Sequence, residues 1–153
     1  MASSTDYEEI FHDGDIIVSE SDDSREMYVI QSGAVVVVRN IDGVDVELAR
    51  LERGNFFGEM SLLESISRSA TIRAVGKTKL LVIKPGSLLL KIRRNPTFAF
   101  EMLQQMSHRI RRLNAKLTEF LSRDTISEED SRQLQSIQDT LVYELGPTTE
   151  SRS

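Results

Sequence analysis

Two hydrophobic rhythms divide the chain. Up to residue 84 the apolar residues come in short runs, or alternate with polar ones, and glycines break them up; beyond Pro96 they recur every three or four residues. The first rhythm is that of short β-strands, the second that of a long amphipathic helix. Residues 1–10 are mostly polar and are expected to be frayed. Phe11-His12-Asp13-Gly14-Asp15 reads as a turn and Ile16–Val18 as a short strand. The acidic run Glu20–Asp23 reads as a solvated loop, because it lacks the order of acidic residues and glycine that holds calcium. Met27–Ile30 and Ala34–Arg39 are strand-like, separated by Gln31-Ser32-Gly33, where Gly33 supplies the positive φ of a turn. Val44, Val46 and Leu48 alternate with Asp45 and Glu47, the period of a half-buried strand, and Asn40-Ile41-Asp42-Gly43 forms the hairpin before it. Gly54-Asn55 makes another turn. Two further strands, Ala70–Val75 and Lys79–Lys84, are joined through Gly76. Many short strands with glycine turns predict a mainly β fold with helices, a sandwich or jelly roll.

Pro85-Gly86-Ser87 ends the strand region, with Ser87 placed to cap a short helix through Arg94. Asn95 and Pro96 read as the N-cap and first residue of a helix that runs to about Leu121. Along it Ala99, Leu103, Met106, Ile110, Leu113, Leu117 and Phe120 step by alternating fours and threes, a heptad seam. Such a seam packs either on the chain's own β-region or on a second copy. From Leu103 to Phe120 it is about 27 Å long, more than one small domain needs, so a homodimer through residues 99–120 is the expectation. Residues 122–145 read as a linker and short helix, with Ser127-Glu128-Glu129-Asp130 as an acidic start and Leu134, Ile137, Leu141 and Leu145 on one face. The alternative to dimerisation is that residues 126–145 fold back over the seam. Residues 146–153 are expected to be disordered.

Composition narrows the function. A chain of 153 residues with 39% hydrophobic content suits one core, and a net charge of −5 argues against nucleic acid as a partner. No cysteine is present, so disulfide and thiolate chemistry are excluded. No apolar run reaches the roughly 18 residues of a membrane span, and the N-terminus lacks the pattern of a secretory signal. A cytoplasmic protein with no membrane partner is expected.

Residues 56–74 carry the chemistry. Phe57-Gly58-Glu59 leads into Met60, Ser61, Leu62 and Leu63 at helical spacing, and Arg68-Ser69-Ala70-Thr71 follows. Glycine lets backbone approach a ligand closely. The start of a helix points N–H groups at an anion. A carboxylate accepts from sugar hydroxyls, and a guanidinium grips phosphate through two parallel N–H bonds. Together they fit a nucleotide with a single phosphate. The plain alternative is a surface turn and strand with Glu59 and Arg68 solvated.

The stretch resembles the phosphate-binding cassette of cyclic nucleotide-binding domains. Phe57-Gly58-Glu59, Ser61-Leu62 and Arg68-Ser69-Ala70-Thr71 all fall at that family's spacing, within a cassette over residues 57–74. The resemblance covers about residues 11–117 and implies an eight-stranded β-roll over residues 11–95 with flanking helices. It implies that Arg68 holds the cyclic phosphate, helped by backbone N–H groups of Glu59, Met60, Ser61 and Ser69 and by the Ser69 hydroxyl. Glu59 then accepts from the ribose 2′-OH, with Phe57, Gly58 and Ala70 completing the cradle. By alignment on Gln105-Met106 with the bacterial catabolite-activator branch, Leu113 and Asn114 fall where the long helix meets the base, and Arg109 faces the cassette within reach of Glu59. An ordinary solvent-facing role is the alternative for Asn114 and Arg109. Serine at position 69 favours cAMP over cGMP, although its hydroxyl also suits a guanine amino group. The chain departs from the family in two places: it has almost no room for a helix before the first strand, and Ser21 stands where a glycine is usual, which suggests a changed loop there.

The reading is a non-catalytic cAMP receptor module, with no cofactor and no metal, that signals through its C-terminal helix to an unknown downstream protein. One alternative is the N-terminal, effector-binding part of a transcription regulator of the catabolite-activator type; the 32 residues after Leu121 are too few and too acidic for a helix-turn-helix domain. Another is a cGMP receptor. A cupin-like metalloenzyme needs several histidine or carboxylate ligands on facing strands, and the chain has only His12 and His108.

Overall fold

Two long strands form the frame of the sheet. In a computed structural model, which describes residues 6–122, 128–130, 132–133 and 135–136, β3 spans Met27–Ile41 and β6 spans Thr71–Ile83. They pair antiparallel from Met27 opposite Ile83 to Val38 opposite Thr71, with register shifts between Ile30 and Ala34. The turns expected at Gln31-Ser32-Gly33 and at Gly76 are therefore bends inside continuous strands. Gly33 permits the bend: its φ is +84°, and a Cβ there would lie 2.5 Å from Lys77 O and 2.6 Å from Thr78 Oγ1. Thr78, fully buried, clamps the same point. Its hydroxyl donates to Ala34 O at 2.9 Å and accepts from the Ala34 N–H at 3.3 Å. The described residues form a six-stranded antiparallel sheet, and dividing β3 and β6 at their bends yields the eight segments of the expected roll.

The other strands attach to this frame. β1, Tyr7–Phe11, pairs with Thr78–Val82, and β2, Ile16–Val18, pairs with Ile72–Arg73. The expected frayed terminus is thus corrected for residues 7–10, which form an edge strand. Its sequence is polar because the strand is exposed, and backbone pairing with β6 and a 2.9 Å Lys79–Glu8 ion pair hold it. β4, Val44–Glu52, extends past the expected Leu48 and follows β3 through a tight hairpin, with a bulge at Val37/Val38. Val44, Val46 and Leu48 do not form a buried face: they are 63%, 37% and 43% exposed, because this end of the hairpin runs beyond the core. β5, Phe56–Phe57, pairs with Tyr28–Val29. The core gathers Val18, Tyr28, Ile30, Val35, Phe57, Ile72, Leu80 and Val82. Each of the aliphatic members contributes on the order of 1.5–3 kcal/mol by burial.

Among the described residues three helices are continuous, and only the last starts at the cap the sequence marks. α1, Glu59–Glu64, begins at Gly58. α2, Pro85–Arg94, has Pro85 in its first turn and Lys84 as N-cap. The expected cap Ser87 lies inside the helix instead, where its hydroxyl donates to Lys84 O and to the Asp6 carboxylate. α3, Pro96–Leu121, starts after Asn95, whose Oδ1 accepts from the Phe98 N–H at 3.3 Å. The chain divides into two units, residues 1–102 and 103–153. In the second unit, Leu103, Leu113 and Phe120 of the heptad seam are exposed, while Met106, Ile110 and Leu117 are half-buried. Residues 128–130, 132–133 and 135–136 are helical. The expectations for Ser127, Leu134, Ile137, Leu141, Leu145 and the tail 146–153 lie outside the described residues.

Candidate functional site

Gly58 sets the geometry of the site. Its φ of +83° turns the chain from β5 into α1, and a Cβ there would stand 2.7 Å from Arg68 Nη1 and 2.8 Å from Glu26 O. Only glycine accepts both the left-handed conformation and this approach. Immediately after it come Glu59 and Ser61, buried in the first turn of α1, and Met60, half-exposed. The first N–H groups of any helix lack partners within it, so those of Glu59, Met60 and Ser61 are donors by position. Phe57, just before Gly58, anchors the turn in the core, its ring stacked on Tyr28 with centroids 4.9 Å apart.

Arg68 is only 5% exposed. Its Nη1 donates to Gly58 O at 3.3 Å, its Nη2 to Glu26 O at 2.7 Å and its Nε to Ser24 Oγ at 3.1 Å. The Glu26 carboxylate lies 3.8 Å from Nη2, and the guanidinium sits 6.0 Å from the centre of the Tyr28 ring. Among the described residues, these bonds use three of the five guanidinium N–H groups, one on each nitrogen, and leave one on each terminal nitrogen. Burial draws the Arg68 guanidinium below its usual value, opposed by the neighbouring Tyr28, Glu26, Asp22 and Glu59. The Tyr28 phenol is pushed up to about 12, chiefly by burial and then by Glu26, with Arg68 acting the other way.

The backbone at Arg68 is held as firmly as its side chain. Its N–H donates to Asp22 O and its carbonyl accepts from the Ser21 N–H, both at 2.8 Å. Ser21 has a φ of +71°, so the serine adopts the left-handed conformation that glycine takes at least cost. Glu20 N–H bonds Thr71 Oγ1 at 3.0 Å just beyond. Ser69 is exposed and Ala70 half-buried in the bend between Arg68 and β6.

Of the residues singled out in the sequence, Phe57, Gly58, Glu59, Met60, Ser61, Arg68, Ser69 and Ala70 thus belong to one stretch of the first unit, and Gly58 and Arg68 are in direct contact. Arg109, Leu113 and Asn114 lie on α3 in the second unit; Leu113 is exposed and the other two are half-buried. Sequence reasoning missed Ser24, Glu26 and Tyr28. They contact Arg68 across 40 to 44 positions, and no spacing rule links a loop residue to an arginine so far along the chain. The one local signal in that loop was Ser21, standing where a glycine is usual.

Comparison with known proteins agrees with this geometry. Residues 8–95 match the cyclic nucleotide-binding domain family. The chain is 39% identical to a cAMP-dependent protein kinase regulatory subunit of Mucor circinelloides over 69 residues, 45% of this chain and 16% of the relative. It is 34% identical to the cyclic AMP receptor protein of Thermus thermophilus over 124 residues, 80% of this chain and 51% of the relative. The chain therefore spans at most about half the length of these two relatives. Among solved structures, the catabolite activator protein of Thermus thermophilus superposes with a TM-score of 0.68 at 26% identity, covering 93% of this chain and 83% of that one. The N-terminal domain of a transcriptional regulator from Streptomyces coelicolor superposes with a TM-score of 0.56 at 29% identity, covering 72% and 78%. The β-roll, the cassette spacing and the family match lead to one conclusion: the chain belongs to the cyclic nucleotide-binding domain family.

Proposed function

We propose that the chain is a non-catalytic receptor module for a cyclic nucleotide, with cAMP favoured, acting in the cytoplasm and signalling through α3 to a downstream protein. The observation that carries this reading is the buried Arg68, fixed by three hydrogen bonds and keeping one N–H on each terminal nitrogen. A cation held this way has lost its mobility before a ligand arrives, so little ordering cost remains at binding. The roles follow the cassette. Arg68 grips the cyclic phosphate, and the N–H groups of Glu59, Met60, Ser61 and Ser69 complete the anion cradle. Glu59 accepts from the ribose 2′-OH. By the family resemblance alone, Asn114 and Leu113 are the candidates for the base and Arg109 the candidate partner of Glu59.

The regulatory subunit and the receptor protein to which the chain is similar carry cAMP in their names, which supports cAMP. Calorimetry tests the proposal: saturable heat is expected with cAMP, and weaker binding with cGMP. No heat with either nucleotide at near-millimolar concentration would sink it, and tighter binding of cGMP would reassign the preference to the exposed Ser69 hydroxyl. Output through α3 needs a difference in affinity between two helix positions. The exposed Leu103, Leu113 and Phe120 support self-association along residues 99–120 as the way such a shift is transmitted. A second reading, the effector-binding part of a transcription regulator, is favoured by the likeness to the Streptomyces coelicolor domain. Cyclic nucleotide-dependent DNA binding by the full-length protein distinguishes the two.

A further inference from the structure

The loop before β3 brings a negative charge to the one buried cation of the site. Glu26 touches Arg68 twice: its backbone oxygen accepts from Nη2 at 2.7 Å, and its carboxylate lies 3.8 Å from the same nitrogen. The second distance exceeds hydrogen-bond length. The carboxylate therefore compensates the charge of Arg68 while leaving an N–H of Nη2 open. The Glu26 side chain is 33% exposed and that of Arg68 3%, so the carboxylate is the more accessible of the two charges. A phosphate that reaches Nη1 and Nη2 must come up beside this carboxylate, charge against like charge. The backbone contact holds Arg68 in place whatever the side chain at position 26, so the two roles of Glu26 separate cleanly.

We propose that Glu26 is an affinity-setting residue whose carboxylate competes electrostatically with the ligand's phosphate for Arg68, so that the module binds its anionic ligand less tightly than its donors alone would allow. The proposal rests on the receptor reading above and adds the group that tunes it. Glu26 stabilises the unliganded site by partnering a buried cation, and that contribution is lost in proportion as the phosphate takes over the same cation. An unliganded domain with a compensated arginine is stable without nucleotide and releases it readily, which a receptor of a fluctuating messenger requires.

The test is calorimetric titration of cAMP and cGMP into the full chain, unmodified and as Glu26→Gln, each at several salt concentrations. Glu26→Gln keeps the side-chain length and the backbone acceptor and removes only the charge. It is expected to bind about three- to tenfold tighter, from one like charge removed at roughly 5–6 Å in a wet site. Its affinity is also expected to fall more steeply with salt, because screening no longer relieves a repulsion between the Glu26 carboxylate and the phosphate. A purely structural role for Glu26 would leave the salt slope unchanged. Glu26→Asp, which retracts the carboxylate by one methylene, is expected to lie between the two and serves if the glutamine variant does not fold. Unmodified protein that binds, with a Gln variant equal or weaker, overturns the role of Glu26 and leaves the receptor reading standing. Binding by the variant alone overturns the receptor reading of the unmodified chain, and the tuning role with it. Binding by neither overturns both.

Discussion

Replacing Gly58 by alanine tests how the cassette is held together. The added methyl group meets two obstacles at once. The backbone stays at φ +83°, a conformation that costs an L-residue about 1–2 kcal/mol. The Cβ also arrives 2.7 Å from Arg68 Nη1 and 2.8 Å from Glu26 O, closer than real Cβ contacts allow. Neither neighbour yields easily. Glu26 O is backbone at the entry to β3, with Met27 Cα 3.3 Å from the same Cβ. Arg68 Nη1 is the end of a side chain, but three hydrogen bonds fix that end. Overpacking of this kind costs about 1–3 kcal/mol, so the total loss of stability is about 2–5 kcal/mol.

The control is Gly54→Ala. Gly54 has nearly the same φ, +88°, but nothing within 4 Å of its Cβ, so only the conformational cost of about 1–2 kcal/mol applies. Urea unfolding of both variants isolates the steric part as their difference. Titration with cAMP then asks whether Arg68 has been displaced: affinity should drop at least tenfold for Gly58→Ala and stay within twofold for Gly54→Ala, on the scale of ~1.4 kcal/mol per decade. Equal losses of stability and equal affinities for the two variants would refute the claim that Gly58 is reserved for the approach of Arg68.

Further expectations follow from the same contacts. Arg68→Ala should weaken cyclic nucleotide binding by about 2–5 kcal/mol, tens- to thousands-fold, and far more than Arg109→Ala, as read by calorimetry; similar losses from both would move the anion site away from the cassette. Tyr28 holds its proton to about 12 in the folded state against an ordinary 10. Its contribution is therefore full below about pH 10 and declines between about pH 10 and 12 as the unfolded chain ionises first. Unfolding measured across that window should show the decline flattened in Tyr28→Phe, and an unchanged curve would mean that the phenol is not buried as described. The seam predicts a homodimer by light scattering at tens of micromolar, and Ile110→Glu, which puts an unpaired carboxylate into it, should yield monomers; a monomeric unmodified protein would refute the pairing. If deleting residues 124–153 then produced a dimer, that segment would be the natural cover of the seam.

Where the sequence was readable, local chemistry was enough. Glycine, carboxylate and arginine at set distances picked out the stretch in which Gly58 and Arg68 meet, because backbone conformation, anion donors and a cationic fork each demand a particular residue type. Asn95 and Pro96 marked the start of α3 because capping is likewise local. Apart from the cap assigned to Ser87, which lies inside α2, the misreadings are non-local. Gln31-Ser32-Gly33 looked like a turn because glycine signals one, yet pairing with β6 on both sides carries β3 straight through it. Tyr7–Phe11 looked frayed because it is polar, and an edge strand exposed on both faces has no hydrophobic alternation to show. Val44, Val46 and Leu48 showed that alternation and are exposed all the same, since period reports which side chains share a face and not what lies against it.

The same distinction explains why the partners of Arg68 could not be foreseen while Arg68 itself could. A ligand imposes its shape on the residues that touch it, and that imposition is what a motif records. The residues that hold Arg68 answer only to Arg68. A guanidinium at this depth needs acceptors for its N–H groups and some compensation for its charge, but any loop that supplies them will do. Here the loop supplies a serine hydroxyl, a backbone carbonyl and, at 3.8 Å, a carboxylate. The carbonyl is available from any residue at position 26, whereas the carboxylate is particular to glutamate. Under the proposed receptor role, the cassette sets where the phosphate goes, and the loop that carries Glu26 is where the strength of binding is adjusted without moving the phosphate's own donors.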